Sequence, residues 1–385
     1  MANLDARHMR KYLDYNATAP LRREARQAML DAFDVCGNPS SVHAEGRGAR
    51  ALVEAARRDV AALADAPPRE LTFTASGTEA ANMALSPGVS APGIGPLRRL
   101  IVGATEHACV LSGHRFAETA VAAVRPDGVI DLDALEAALS GSPPALVALQ
   151  AANNETGVLQ PIAEVAARVH AYGGLLVCDA AQAAGRISLG AFRDADALLI
   201  SAHKFGGPKG AGACLALREG LHFDALLRGG GQERGRRAGT ENVAAIAGFG
   251  AAARAVAAGT ETEAARLTVL RDACERRLAE LAPNAVVFGA ETPRLPNTLA
   301  FAIPGLAAAT MLMRLDLEGV AVSSGSACSS GKVAPSHVLA AMGVAPNLAA
   351  GAIRVSFGWA SDAADVEAFT QAMTRTLAGL RRKAR

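Results

Sequence analysis

Short apolar runs recur along the first part of the chain, at 71–74, 100–104, 145–150, 175–179, 197–201 and 212–217. Each is near-continuous rather than alternating, as a strand covered on both faces requires. Between them, 78–85, 131–139 and 161–172 carry helical periodicity. The third opens on Pro161, suited to a first helical position, and Gly173-Gly174 ends it. Strands alternating with helices predict an α/β fold, a mostly parallel sheet flanked by helices. Ligands of such sheets bind at the carboxyl ends of the strands.

The rhythm changes after 255. Ala-rich 244–258 is helical in pattern, and a long helix over 261–281 follows. Strands are then predicted at 297–303, 321–323 and 353–357, and helices at 306–318, 336–342 and 362–380. This is the pattern of a smaller α+β C-terminal domain. The expected division is a large domain over 15–255 and a small one from 1–14 with 256–385. Between the halves, Arg228-Gly-Gly-Gly-Gln-Glu-Arg-Gly-Arg-Arg-Ala-Gly-Thr240 is too rich in glycine and charge for a regular element and reads as a loop.

Composition narrows the class. The 385 residues are 50% hydrophobic and 20% charged, with a net charge of +2. That suits a globular chain with a large core and gives no field favouring nucleic acid or an anionic membrane. No signal-peptide-like stretch opens the chain, and no apolar run has the length of about 18 residues that a membrane span needs. The six cysteines, Cys36, Cys109, Cys178, Cys214, Cys274 and Cys328, are scattered without a C-x-x-C pair. A reduced, cytoplasmic protein is therefore expected, with Cys109, Cys178, Cys214 and Cys274 acting as small buried apolar residues. Lysine is scarce: Lys11, Lys204, Lys209, Lys332 and Lys383 are the full set.

Candidate chemistry sits at strand ends. In Leu198-Leu-Ile-Ser-Ala-His-Lys-Phe-Gly-Gly-Pro-Lys-Gly210 an apolar strand stops at Ser201, and His203 and Lys204 follow. A lysine there either reaches solvent or, desolvated, offers a neutral amine for a Schiff base. Asp179 ends another strand 25 positions earlier. It suits a helix N-cap, or a carboxylate holding a pyridine nitrogen protonated, with Gln182 placed for a phenolic oxygen. Phe73-Thr-Ala-Ser-Gly-Thr-Glu-Ala-Ala-Asn82 runs from strand to helix through small residues, so Gly77 and Thr78 can cradle a phosphate; an ordinary cap by Ser76 or Thr78 is the alternative. His107, in Ala104-Thr-Glu-His107, suits stacking on a flat ring and proton transfer, or plain packing. Asn153-Asn-Glu-Thr-Gly157 is a polar turn. In Val322-Ser-Ser-Gly-Ser-Ala-Cys-Ser-Ser-Gly331, eight of ten residues are Gly, Ser or Ala around Cys328. A thiol in such a surface loop suits a travelling nucleophile. Arg354 suits a bidentate carboxylate clamp or a salt bridge.

The order of these segments is more specific than any one of them. Tyr12-Leu-Asp-Tyr-Asn-Ala-Thr-Ala-Pro20, Gly37-Asn-Pro-Ser-Ser-Val-His43, Ser76-Gly-Thr-Glu79, Thr105-Glu-His107, Asn153-Asn-Glu155, Asp179 with Gln182, and Ser201-Ala-His-Lys204 resemble the class V aminotransferase group of pyridoxal-phosphate (PLP) enzymes. Arg237-Ala-Gly-Thr240 and Ser323-Ser-Gly-Ser-Ala-Cys328 resemble the cysteine desulfurases of iron–sulfur assembly within it. The resemblance covers nearly the whole chain and implies the type I PLP fold, with a mostly parallel seven-stranded sheet. It implies catalytic roles for Lys204, Cys328 and His107. It assigns Gly77, Thr78, His107, Asn154, Asp179, Gln182, Ser201, His203, Lys204 and Thr240 to the cofactor, with Thr240 coming from the second subunit of a homodimer. Asn154 and Arg354 would grip the carboxylate of L-cysteine. The product would be alanine and a Cys328 persulfide, passed to an iron–sulfur scaffold or another acceptor, with no metal site in the monomer beyond Cys328 as a ligand of a transferred cluster. Two departures are Ala202, where glycine is common, and the rearranged turn Ala75-Ser-Gly77. An aminotransferase or selenocysteine lyase on the same fold, and a non-catalytic sulfur or metal scaffold, are the competing readings.

Overall fold

The computed structural model describes residues 10–141, 143–325 and 335–383. After a short β1 (Lys11–Tyr12) come β2 (Leu71–Thr74), β3 (Arg99–Gly103), β4 (Glu118–Ala122), β5 (Leu146–Gln150), β6 (Leu175–Asp179), β7 (Ala197–Ser201) and β8 (Gly212–Ala216). β2 to β8 form a seven-stranded sheet in the order β2-β8-β7-β6-β5-β3-β4. Every neighbouring pair from β4 across to β7 is parallel, and β8 alone runs the other way. Helices cover both faces. On one, 44–61, 162–171 and 243–257 enclose a core around Phe249, whose ring lies 6.0 Å from that of Phe73 and 5.9 Å from that of Phe205. On the other, 77–84 packs over Leu100, Leu146, Val177 and Leu199. The chain carries helices from strand to strand, the arrangement the apolar runs predict.

A second core lies apart from this sheet. There β9 (Val286–Val287), β10 (Thr298–Ala302) and β12 (Ile353–Ser356) form a three-stranded antiparallel sheet, and β11 (Val320–Ala321) pairs with β1 in parallel. Helices 260–281, 308–317 and 363–383 pack here with Phe301, Phe357, Phe369 and Leu13. Among the described residues no single helix is long and apolar enough to cross a membrane.

Apart from elements of two to four residues, one strand and two helices escape the apolar pattern. Strand β4 is mostly exposed, so a run of large hydrophobes never forms there. Helices Arg23–Phe33 and Ala44–Ala61 pack on Val243–Ala257 mainly through alanine and glycine. At Gly250 an added Cβ would lie 2.5 Å from Ala56 Cα, so this helix pair is held closer than any side chain allows. Pro161 precedes its helix rather than opening it, because the helix begins at Ile162.

The free edge of β2 is buried, which leaves its outward main-chain groups in need of partners. Arg57 and Glu233 supply them. Arg57 Nη1 donates to Leu71 O at 3.0 Å, and Phe73 N–H donates to Glu233 Oε2 at 2.8 Å. The two side chains also meet each other bidentately, both bonds at 2.7 Å, and both are almost fully buried. Glu233 and Arg234 adopt left-handed φ values of 49° and 58° to deliver this carboxylate, a conformation L residues take at a cost. Glu233→Ala should therefore destabilise the fold by about 3–5 kcal/mol, since it leaves the Phe73 N–H unpaired in a buried place and takes the bidentate carboxylate from a guanidinium that keeps only Leu71 O and Glu54. Urea denaturation of the variant beside the parent checks this.

Candidate active site

Five strands end at one cavity of about 310 Å³, lined by residues that follow β2, β3, β5, β6 and β7. The spatial order reverses between β3 and β5, the crevice where open α/β sheets take ligands. From β2 the chain turns through Ser76 into helix Gly77–Ala84. Ser76 caps it, its Oγ accepting from Glu79 N–H at 3.1 Å. The N–H groups of Gly77 and Thr78 thus open the helix with no intrahelical acceptor and face a point where anions are favoured. Ser201, at the end of β7, lies beside them: a Cβ at Gly77 would sit 3.2 Å from Ser201 Cβ.

At the opposite side Asp179 ends β6. A turn rather than a helix follows it, and its Oδ1 accepts from Ala181 N–H at 2.9 Å, so the helix-cap reading of this acid does not hold. Burial raises its carboxyl above the ordinary range, opposed by that N–H and by nearby His107 and Lys204. His107 caps a short helix, its Nδ1 accepting from Cys109 N–H at 3.2 Å. Burial, aided by Lys204, holds the imidazole below its usual pKa. The ring is therefore neutral near pH 7, and the accepted bond puts its proton on Nε2. His203 is pushed down to about 4 by burial and then by Lys204, Lys209 and Arg186, and its Nδ1 meets Thr18 Oγ1 at 3.1 Å.

Lys204 Nζ donates to two main-chain oxygens, Asn16 O at 2.7 Å and Ala17 O at 3.1 Å. Gln182 Nε2 donates to Asn16 O at 3.1 Å. Arg186 donates to Gln182 Oε1 at 2.6 Å, which fixes the amide so that its NH₂ end, not its oxygen, is turned from the guanidinium. On the far wall Arg354 Nη1 donates to Asn154 O at 2.8 Å, and Nη2 pairs with Asp14 at 2.7 Å.

Of the sequence candidates, Gly77, Thr78, His107, Asn154, Asp179, Gln182, Ser201, His203, Lys204 and Arg354 all line this one cavity. Thr240 is exposed and lies outside it. Cys328 falls outside the described residues. Cys109, expected as core filler, is a correction: it is only partly buried and forms part of the cavity wall. Sequence reasoning gave no role to Asp14, Asn16 and Ala17, nor to Glu106, Glu155 and Arg186. The first three lay within the quoted segment 12–20, but their partners are far along the chain. Glu106 is wholly buried, with no partner for Oε2 among the described residues, and burial together with Asp179 pushes its carboxyl well above the carboxylate range. Among the described residues no group of three or more His, Cys, Asp or Glu side chains is placed to hold a metal ion.

Comparison with known proteins agrees with this geometry. The Aminotransferase class-V family model matches residues 11–369. A cysteine desulfurase of Cereibacter sphaeroides is 44% identical over 369 residues, 93% of each chain. A solved NifS-like protein from Rickettsia africae superposes with a TM-score of 0.85 at 32% identity, covering 96% of this chain and 99% of its own. A structure of SspA in complex with cysteine gives a TM-score of 0.75 at 27% identity, with coverages of 90% and 98%. With a family match over almost the entire length and curated relatives at this identity, the chain belongs to the class V aminotransferases and, within them, to the cysteine desulfurases.

Proposed function

We propose that the chain uses pyridoxal phosphate, held by Lys204, to take sulfur from L-cysteine onto Cys328. The family is PLP-dependent, and the residues present suit the cofactor. The single observation that carries the reading is the convergence of an amine, a partly buried acid and a helix N-terminus on one cavity. Gly77, Thr78, Ser201 and His203 would hold the phosphate. Asp179, half-buried in the cavity wall with Oδ1 engaged by Ala181, would meet a protonated ring nitrogen. His107 would lie on the ring face, and the NH₂ of Gln182 would reach the phenolic oxygen. A volume of about 310 Å³ lies at the small end of the usual range for ligand pockets, roughly 300–1,000 Å³.

The bound cofactor would supply an electron sink for charge left at the substrate Cα. The chain's own groups do the rest. Lys204 takes the Cα proton; its two carbonyl partners at Asn16 and Ala17 are where its ammonium then rests. Asn154 and Arg354 orient the substrate carboxylate, Arg354 being held in place by Asp14. Neutral His107 carries a proton on Nε2 for exchange with the substrate thiol. The Cys328 thiolate attacks the substrate sulfur, and the Cβ–S bond breaks with its electron pair kept by the carbon fragment; a proton added at Cβ and the Cα proton returned by Lys204 then give alanine, with a persulfide left on Cys328. That the SspA relative was solved with cysteine supports the substrate. Thr240, exposed on the loop that Arg237 ties to Glu79 at 2.9 Å, suits a contribution to the phosphate site of a second copy. The sulfur then passes to an acceptor for iron–sulfur cluster assembly.

Two outcomes test this. Lys204→Ala should abolish the visible absorption of the purified protein after incubation with pyridoxal phosphate; a retained band overturns the assignment. Cys328→Ser should keep the band and its change on adding cysteine while sulfide release in the presence of a thiol reductant falls at least about a thousandfold, the loss expected of a removed nucleophile.

A further inference from the structure

Glu155 lies outside the cavity wall, yet both described ends of the segment that carries Cys328 converge on it. The description stops at Gly325, three positions before Cys328, and resumes at Pro335 and Ser336. Ser336 Oγ donates to Glu155 Oε2 at 2.6 Å and accepts from Leu339 N–H at 3.0 Å, so one hydroxyl joins the acid to the start of helix His337–Ala341. On the other end, a Cβ added to Gly325 would come within 2.4 Å of the same Oε2 and 3.0 Å of Glu155 Cδ. The carboxylate thus fills the space that a side chain at 325 would claim, so a larger residue there would push Glu155 aside. The neighbouring links reinforce the point. Ser323 exchanges two main-chain hydrogen bonds with Arg354, at 2.7 and 3.1 Å, and the Arg354 side chain reaches back to Asn154 O at 2.8 Å. His337 Nε2 lies 2.9 Å from Glu106 O, beside His107.

Glu155 itself is held rigidly. It is 5% exposed, and its N–H donates to Asn153 Oδ1 at 2.8 Å within the turn that also carries cavity residue Asn154. A buried carboxylate is costly unless it is hydrogen-bonded, and among the described residues the side-chain bond of Glu155 goes to the returning stem. We infer that Glu155 is a positioning residue for sulfur transfer: it bonds one stem of the Cys328 segment, packs against the other, and so ties the segment to the turn that holds the substrate side of the cavity. The inference rests on Cys328 being the sulfur acceptor, and it adds the anchor from which that thiol is presented.

The test uses the full-length holoenzyme and Glu155→Ala, Glu155→Gln and Ser336→Ala. Three quantities are read: the visible band and its titration with cysteine, single-turnover formation of persulfide at Cys328, and the rate at which iodoacetamide alkylates Cys328, located by peptide mass, in the presence and absence of cofactor. Both alanine variants should keep the band and bind cysteine within about twofold of the parent, slow persulfide formation at least about tenfold and change the alkylation rate at least about fivefold, as expected when a nucleophile is misplaced rather than removed. Glu155→Gln, whose amide oxygen still accepts from Ser336, should restore the parent rates to within about threefold. The variant with both alanines should lose less than the product of the two single losses, because the Glu155–Ser336 bond is common to both. Alkylation and persulfide rates unchanged in both alanine variants overturn the inference; so does an equal loss of cysteine binding, which would make Glu155 a cavity residue. Absence of persulfide in the parent would instead sink the assignment of Cys328 while leaving the alkylation comparison interpretable.

Discussion

Asn16 uses every hydrogen-bonding group it owns, and it does so at the seam between the two cores. Its N–H donates to Ser356 Oγ, its Nδ2 to Thr298 Oγ1 and Asn154 O, and its Oδ1 accepts from Asn297 Nδ2. Its carbonyl accepts from both Lys204 and Gln182. The residue is 1% exposed, so each of these bonds replaces water that cannot reach it. The strands around β10 and β12 are thereby registered against the carboxyl ends of β6 and β7. The Lys204 amine thus donates to main-chain oxygens, one of which is fixed from the opposite side by a saturated network.

The same logic of satisfaction runs outward. Arg186 is wholly enclosed, burial pushing its guanidinium down to about 9, and it directs its donors to Gln182, Tyr15 O and Lys204 O. It touches the back of the site rather than its lumen, yet it decides which end of the Gln182 amide a ligand meets. Arg57 and Glu233 act comparably at the sheet edge, where the loop that leads to Thr240 is pinned to β2. Arginine suits these positions because its fork satisfies several acceptors at once and stays charged when buried. The abundance of arginine over lysine in the composition has this structural counterpart.

Much of this was legible before any coordinates. Strands at 71–74, 175–179 and 197–201 match their predicted bounds, because continuous apolar runs closed by a polar residue leave little choice of register. The same polar closures, Asp179 and Ser201 with Lys204 beyond it, announce the cavity. What stayed hidden has a common cause. The exposed strand β4 and the alanine-packed helices carry no contrast between large apolar and polar positions. Asn16, Arg186 and Glu155 look like ordinary loop or helix-end residues, and their importance comes from partners such as Lys204, 188 positions from Asn16, and Ser336, 181 from Glu155. Local pattern has no access to such pairings.

The one reversed strand has a consequence of its own. Because β8 runs against its neighbours, its first residue, Gly212, lies between the last residues of β2 and β7, opposite Thr74 and Ser201. An added Cβ there would fall 2.4 Å from Ser76 C and 2.8 Å from Gly77 N. The turn that opens helix Gly77–Ala84 can settle onto the sheet only because this position carries no side chain. Residue 212 does not line the cavity, yet any larger residue would lift the turn at Ser76 and Gly77 away from Ser201. Tolerance to replacement at this cleft is thus governed partly from beneath its floor, by a residue that a survey of ligand contacts would pass over.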